Sequence, residues 1–115
     1  MRIIKIAFAN EQYIASLKSH IISLIDSAQL NLNGRSYVAN SLAPLVESMV
    51  TLNKIVESNE DTRFDVMKSH ANQLEHAIYI LNKKFINRSA TDEDIQIVLT
   101  SLGNYENDLI NGVLK

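Results

Sequence analysis

Cysteine is absent from the 115 residues, which removes disulfides, thiolate nucleophiles and cysteine zinc sites from consideration. Tryptophan is also absent, aromatics make up 6% of the chain, and there are three glycines and one proline. Asn33-Gly34-Arg35 has neither the Gly-x-Gly-x-x-Gly nor the Walker spacing that cradles phosphates. Excess positive charge is missing too. The net charge is −2, and Arg2, Lys5, Lys18, Arg35 and Lys54 are scattered without aromatic interleaving, so nucleic acid is not the expected partner. No apolar run is long enough to span a bilayer. Residues 1–8 open like a signal peptide, yet they lack a continuous apolar middle and a small-residue cleavage site, and they read as part of the fold. The absence of cysteine fits a cytoplasmic location, and the abundance of Asn, Ile, Lys and Ser points to an AT-rich bacterial or phage genome.

What is present is 46% hydrophobic and 21% charged residues, the balance of an ordered globular chain. The length is that of one domain, expected to cover residues 1–115. Five bases face three acids in residues 1–55, and six bases face ten acids in residues 56–115. A solvated surface accounts for that mild polarity.

The stretch Asp61–Asn87 carries the longest uninterrupted helical pattern. Phe64, Met67, Ala71, Leu74, Ile78, Leu81 and Phe85 recur at alternating steps of three and four, which places them on one helical stripe. Lys83, Lys84 and Arg88 favour the negative end of the helix. An earlier helix is expected over residues 10–30, with Asn10 as N-cap and a stripe of Ile14, Leu17, Ile21, Leu24 and Ala28; Ile22 and Ile25 widen its apolar face. The Asn33-Gly34 pair suits the positive φ of a helix exit. Pro44 fixes the start of the next helix, because a helix running from Ser36 would drive its ring into the carbonyl of Asn40. With Ser41 as N-cap, the helix covers residues 42–57 along Leu42, Leu45, Met49, Leu52 and Val56. Thr91 and Asp94 form a capping-box pattern ahead of a last helix reaching Val113. Its stripe is Ile95, Leu99, Leu102, Leu109 and Val113, with Val98 and Tyr105 beside it. Residues 2–8 read as a short extended or frayed segment; the other reading carries the first stripe backwards through Ile3, Ala7 and Asn10. The expected architecture is all-α: an antiparallel up-down-up-down four-helix bundle with that N-terminal extended segment.

His20, His70 and His76 are the only imidazoles. No Glu stands three residues before any of them, and no His-x-x-x-His pair occurs, so the carboxylate-bridged and zinc patterns are missing. Phosphotransfer domains place a lysine and then a glycine after the histidine; Ala71-Asn72, Ala77-Ile78 and Ile21-Ile22 do not match. Glu57, Glu60, Asp61 and Asp65 cluster at a helix start, where they suit the macrodipole. No catalytic, cofactor-binding or metal-binding residue is therefore assigned.

The informative excess is apolar. Ile22, Val50, Val66, Ile80, Ile86 and Ile97 fall sideways or outward of the stripes, more than the inner seam needs; either the core is broader than coiled-coil geometry implies or one face is covered by another chain. The reading they support is a non-enzymatic protein acting through contact with another protein: a regulator, adaptor or inhibitor of immunity type, expected to form a homodimer. The alternative is a bundle enzyme, or a metal or phosphotransfer carrier, built on His70 or His76; it requires at least two of His20, His70, His76 and Glu75 to converge on one pocket.

Overall fold

The computed structural model describes the backbone of residues 2–57 and 63–112 and the side chains of residues 12–55 and 65–112. Four helices succeed one another: α1 (Arg2–Asn33), α2 (Ala43–Glu57), α3 (Arg63–Ile86) and α4 (Asp92–Asn111). No strand occurs among the described residues. The expected N-terminal extended segment is thus corrected to helix. A strand needs a second strand to satisfy its N–H and C=O groups, whereas each residue added to a helix gains its own backbone bond. The correction also moves Asn10 from a cap position to the helix interior. Phe64, Val56 and Val113, expected on the stripes, lie outside the described side chains.

Each helix packs on its neighbours in the chain and α4 closes on α1, while the backbones of the diagonal pairs stay apart among the described residues. Two cross-helix bonds fix the direction of α3 against α4. Lys84, near the end of α3, donates to Asp94 at 2.7 Å, near the start of α4. His70, early in α3, meets Asp108, late in α4, at 2.5 Å. The α1–α2 connection sits at the Lys84 end, where Arg35 pairs with Asp92 and the Tyr37 hydroxyl donates to Asn82. Helix directions therefore alternate around the ring in an antiparallel four-helix bundle.

The core takes Met67, Ala71, Leu74, Ala77, Ile78 and Leu81 from α3, and Leu45, Met49 and Leu52 from α2 with Leu42 just ahead of it. Apart from Ala77, which lies beside the α3 stripe, those positions match the sequence stripes, and Pro44 lies in the first turn of α2. In α1 and α4 the stripe is displaced. Ile21, Ile25, Ala28 and Leu32 are buried in α1, while Leu17 and Leu24 are only partly covered. Leu32 enters the core because α1 continues to Asn33 rather than ending at residue 30. In α4 the buried line is Val98, Leu102, Tyr105 and Leu109, with Ile95 and Leu99 at its margin. Tyr37, in the α1–α2 connection, is buried as well and stacks at a tilt on Phe85, ring centroids 4.6 Å apart.

Thr91 caps α4 as the sequence indicates: its hydroxyl accepts from the Asp94 N–H, and Asp94 accepts from the Thr91 N–H at 2.9 Å. The helix exits differ from expectation. Positive φ falls on Arg35 (58°) and Arg88 (57°), and no described glycine has positive φ. In both exits the next residue bonds back to the carbonyl five residues earlier, Ser36 to Asn31 and Ser89 to Lys84, each at 2.8 Å. That wrapping bond puts the left-handed residue one place after Gly34. A left-handed backbone costs a side-chain-bearing residue roughly 1–2 kcal/mol. Arg88→Gly is therefore expected to stabilise the fold by about 1 kcal/mol, read as a higher denaturation midpoint in urea; an unchanged or lower midpoint contradicts this account of the α3 exit.

Candidate interaction surface

The bonds Lys84–Asp94 and His70–Asp108 lie fourteen residues apart on both α3 and α4, so the register holds along the pair. Ile80 stands four residues before Lys84, and Ile97 stands three after Asp94. Such spacings share a helix edge. Both isoleucines consequently flank the α3–α4 seam one turn below the Lys84 bridge, with Ile80 36% and Ile97 52% exposed. Val66, 56% exposed, stands four residues before His70 and continues the α3 edge. Buried Ala77 lies on the same side of α3 between the two bridges. Three of the six residues singled out in the sequence thus share one outer edge, interleaved with ion pairs.

The remaining three do not join them. Ile86 is exposed near Tyr79, one heptad earlier on α3, and Lys83 reaches over the Tyr79 ring at 5.8 Å. That edge is shared with Asn82, four residues before Ile86, which accepts from the Tyr37 hydroxyl and, at 3.2 Å, from the Asn40 N–H. Burial pushes the Tyr37 hydroxyl up to about 12 against the smaller opposing effect of the Asn40 backbone bond. Val50 is exposed on α2. Ile22 is partly buried against the core, a sideways position on α1.

A second seam, between α1 and α4, repeats the pattern. Asp26 on α1 and Glu106 on α4 stand close enough for each carboxyl to feel the other. Ile22 and Ile110 each lie one turn away from that link, on the same edges. Ile110 is exposed and is not singled out by the sequence, where its spacing resembles that of any flanking residue. Loss of hydration, then the Asp26 hydrogen bond and charge, raise the Glu106 carboxyl to about 7.

The imidazoles are dispersed. His20 on α1 and His76 on α3 are exposed, and among the described residues only His70 has a carboxylate paired with it. The His70 and Asp108 side chains are 30% and 16% exposed. Asp108 and Glu75 both act on the Tyr105 hydroxyl, whose pKa is raised chiefly by burial and then by these two charges. Tyr105 is fully buried, and its hydroxyl and the Asn53 Oδ1 meet no protein partner. Among the described residues, no three of His, Asp and Glu are grouped to hold a metal ion. The Asp94 carboxylate is held below the usual range, first by Lys84 and then by the Thr91 N–H. No described helix is long and apolar enough to cross a membrane. The comparisons with known proteins add nothing to this geometry: no family model matches the chain, and no match was found among curated proteins or solved structures.

These polar groups lead to two expected outcomes. Glu106 binds its proton more tightly folded than unfolded, so its contribution is full below the ordinary glutamate range and is lost as pH rises through about 7. Urea midpoints from pH 5 to 8.5 are expected to fall more in the native chain than in Glu106→Gln; parallel curves contradict the assignment. Tyr105→Phe removes a buried hydroxyl without a protein partner, so it should leave stability unchanged or raise it by about 1 kcal/mol. A loss of 2 kcal/mol or more, on the scale of roughly 1–3 kcal/mol for an unsatisfied buried group, would show that the hydroxyl is bonded in solution.

Proposed function

We propose that this protein works by contact with another protein, as a small regulator, adaptor or inhibitor in a cytoplasmic setting, and that the α3–α4 seam is its contact face. One observation carries the reading: Val66, Ile80 and Ile97 are all more than a third exposed along a single edge whose ion pairs leave the methyl groups uncovered. Apolar side chains scattered singly need no explanation, but a row on one edge next to fixed charges offers both burial and orientation to a partner. The reading involves no catalytic residue and no cofactor.

The alternative, a bundle enzyme or a metal or phosphotransfer carrier, rests on His70 with Asp108 alone, since His76 lies elsewhere on α3. A stoichiometric metal or a phosphorylated His70 in protein purified from its host would favour it.

The test of the contact face is affinity capture from the native host with the wild-type chain and with Ile80→Lys plus Ile97→Lys. Both positions are exposed, so each substitution should change stability by no more than about 0.5 kcal/mol. A captured protein that is retained by the wild type and lost by the variant is the expected result; equal retention by both would reject this face.

A further inference from the structure

Charge is unevenly shared among the outer faces of the bundle. From Gln12 to Asn33 on α1, Asp26 is the only exposed charged residue, and from Ile95 to Asn111 on α4 no exposed residue is charged. Helices α2 and α3 place Glu47, Lys54, Asp65 and Lys83 in water. A solvated helix face normally carries charge, whereas the centre of a protein interface is depleted of it.

The seam between α1 and α4 is also open. The two helices run antiparallel, so residues equally far from the Asp26–Glu106 pair share a level. Ile22 stands level with Ile110 on one side of the pair, and Gln29 with Gly103 on the other. Ile110 is 53% exposed and Ile22 is partly covered. A Cβ added to Gly103 would meet nothing within 4 Å, so the missing side chain leaves a notch one turn from Glu106. The trough thus presents isoleucine, carboxylate and notch in turn over about 10 Å.

The carboxylates select the occupant. Two like charges side by side repel, and the nearest base on α1, Lys18, stands eight residues from Asp26, about 12 Å along the helix. Phosphates of nucleic acid or of anionic lipid would add to the repulsion. A second copy applying the same face would bring two more carboxyls and no exposed base. A cationic side chain relieves the repulsion, and a guanidinium suits two neighbouring carboxylates because its five N–H donors form a rigid fork.

We propose that the α1–α4 trough receives a helix of another protein, with one arginine set between Asp26 and Glu106 and an aliphatic residue one turn along it against Ile22 and Ile110. The notch at Gly103 lets a small residue of that helix approach closely on the other side of the arginine. This face lies on the opposite edge of α4 from Ile97, so the inference goes beyond the α3–α4 contact face and does not depend on it.

Helical peptides displayed on phage and randomised along one face, selected on the full chain, test it. The recovered peptides are then synthesised and measured by fluorescence anisotropy. They should carry arginine with an aliphatic residue three or four places away. Replacing that arginine by citrulline, its uncharged isostere, should weaken binding about ten-fold or more, as should Asp26→Asn plus Glu106→Gln in the protein. Gly103→Leu fills the notch without altering charge and should weaken binding while thermal unfolding shows the bundle intact. Ile80→Lys plus Ile97→Lys should leave binding unchanged, so the two faces fail separately. Recovery of no binder, of binders without a base, or of binders indifferent to citrulline or to the Asp26/Glu106 variant overturns the proposal. A wild-type dimer in light scattering that Gly103→Leu breaks also overturns it, by assigning the trough to a second copy.

Discussion

The apolar stripe of α3 must be covered, and the way α4 covers it governs most of the remaining architecture. Met67, Leu74, Ile78 and Leu81 meet Val98, Leu102 and Leu109 in a shared interior. Each large aliphatic side chain buried there contributes roughly 1.5–3 kcal/mol. The ion pairs above and below sit at the margin, where an exposed pair is worth about 1 kcal/mol at most. Burial therefore holds α3 and α4 together, while Lys84–Asp94 and His70–Asp108 select the register in which they lie. Asp94 takes part twice, capping its own helix through Thr91 and receiving Lys84 from the neighbour. One carboxylate thus couples the start of α4 to the end of α3.

That register also decides what the surface presents. Because the spacing between the two bridges is equal on both helices, Ile80 and Ile97 arrive at one level instead of on unrelated faces. The α1–α4 seam obeys the same geometry, with Ile22 and Ile110 beside the Asp26–Glu106 link. A helix interior has room for about one stripe, so residues one position off the stripe are left at the seams. Contact with another protein is the use proposed for these seams.

Much of the architecture is legible in the chain alone. The unbroken three-four spacing from Met67 to Phe85 is local information, as are the ring of Pro44 and the Thr91–Asp94 box, and all three reappear in the fold. The departures from expectation have a common source. Ile25 and Ile22, or Val98 and Leu99, are equally apolar neighbours on a wide face. Only the helix packed alongside determines which of each pair turns inward. Residues 2–9 are ambiguous in sequence because isoleucine suits strand and helix alike. The absence of any strand among the described residues leaves helix as the way to pair their backbone groups.

The candidate surface is half legible. Outward position comes from periodicity, so Val66, Ile80 and Ile97 can be named from spacing; that they share one edge depends on α3 and α4 running antiparallel in a fixed register. The sequence by itself determined four amphipathic helices and the places where α2 and α4 start, since capping, proline sterics and i, i+4 neighbours act within one turn. Tertiary structure decided the pairings across long separations, among them His70 with Asp108, Asp26 with Glu106 and Tyr37 with Asn82. No spacing rule links residues that meet only because two helices pack, and that packing is chosen by the interior as a whole.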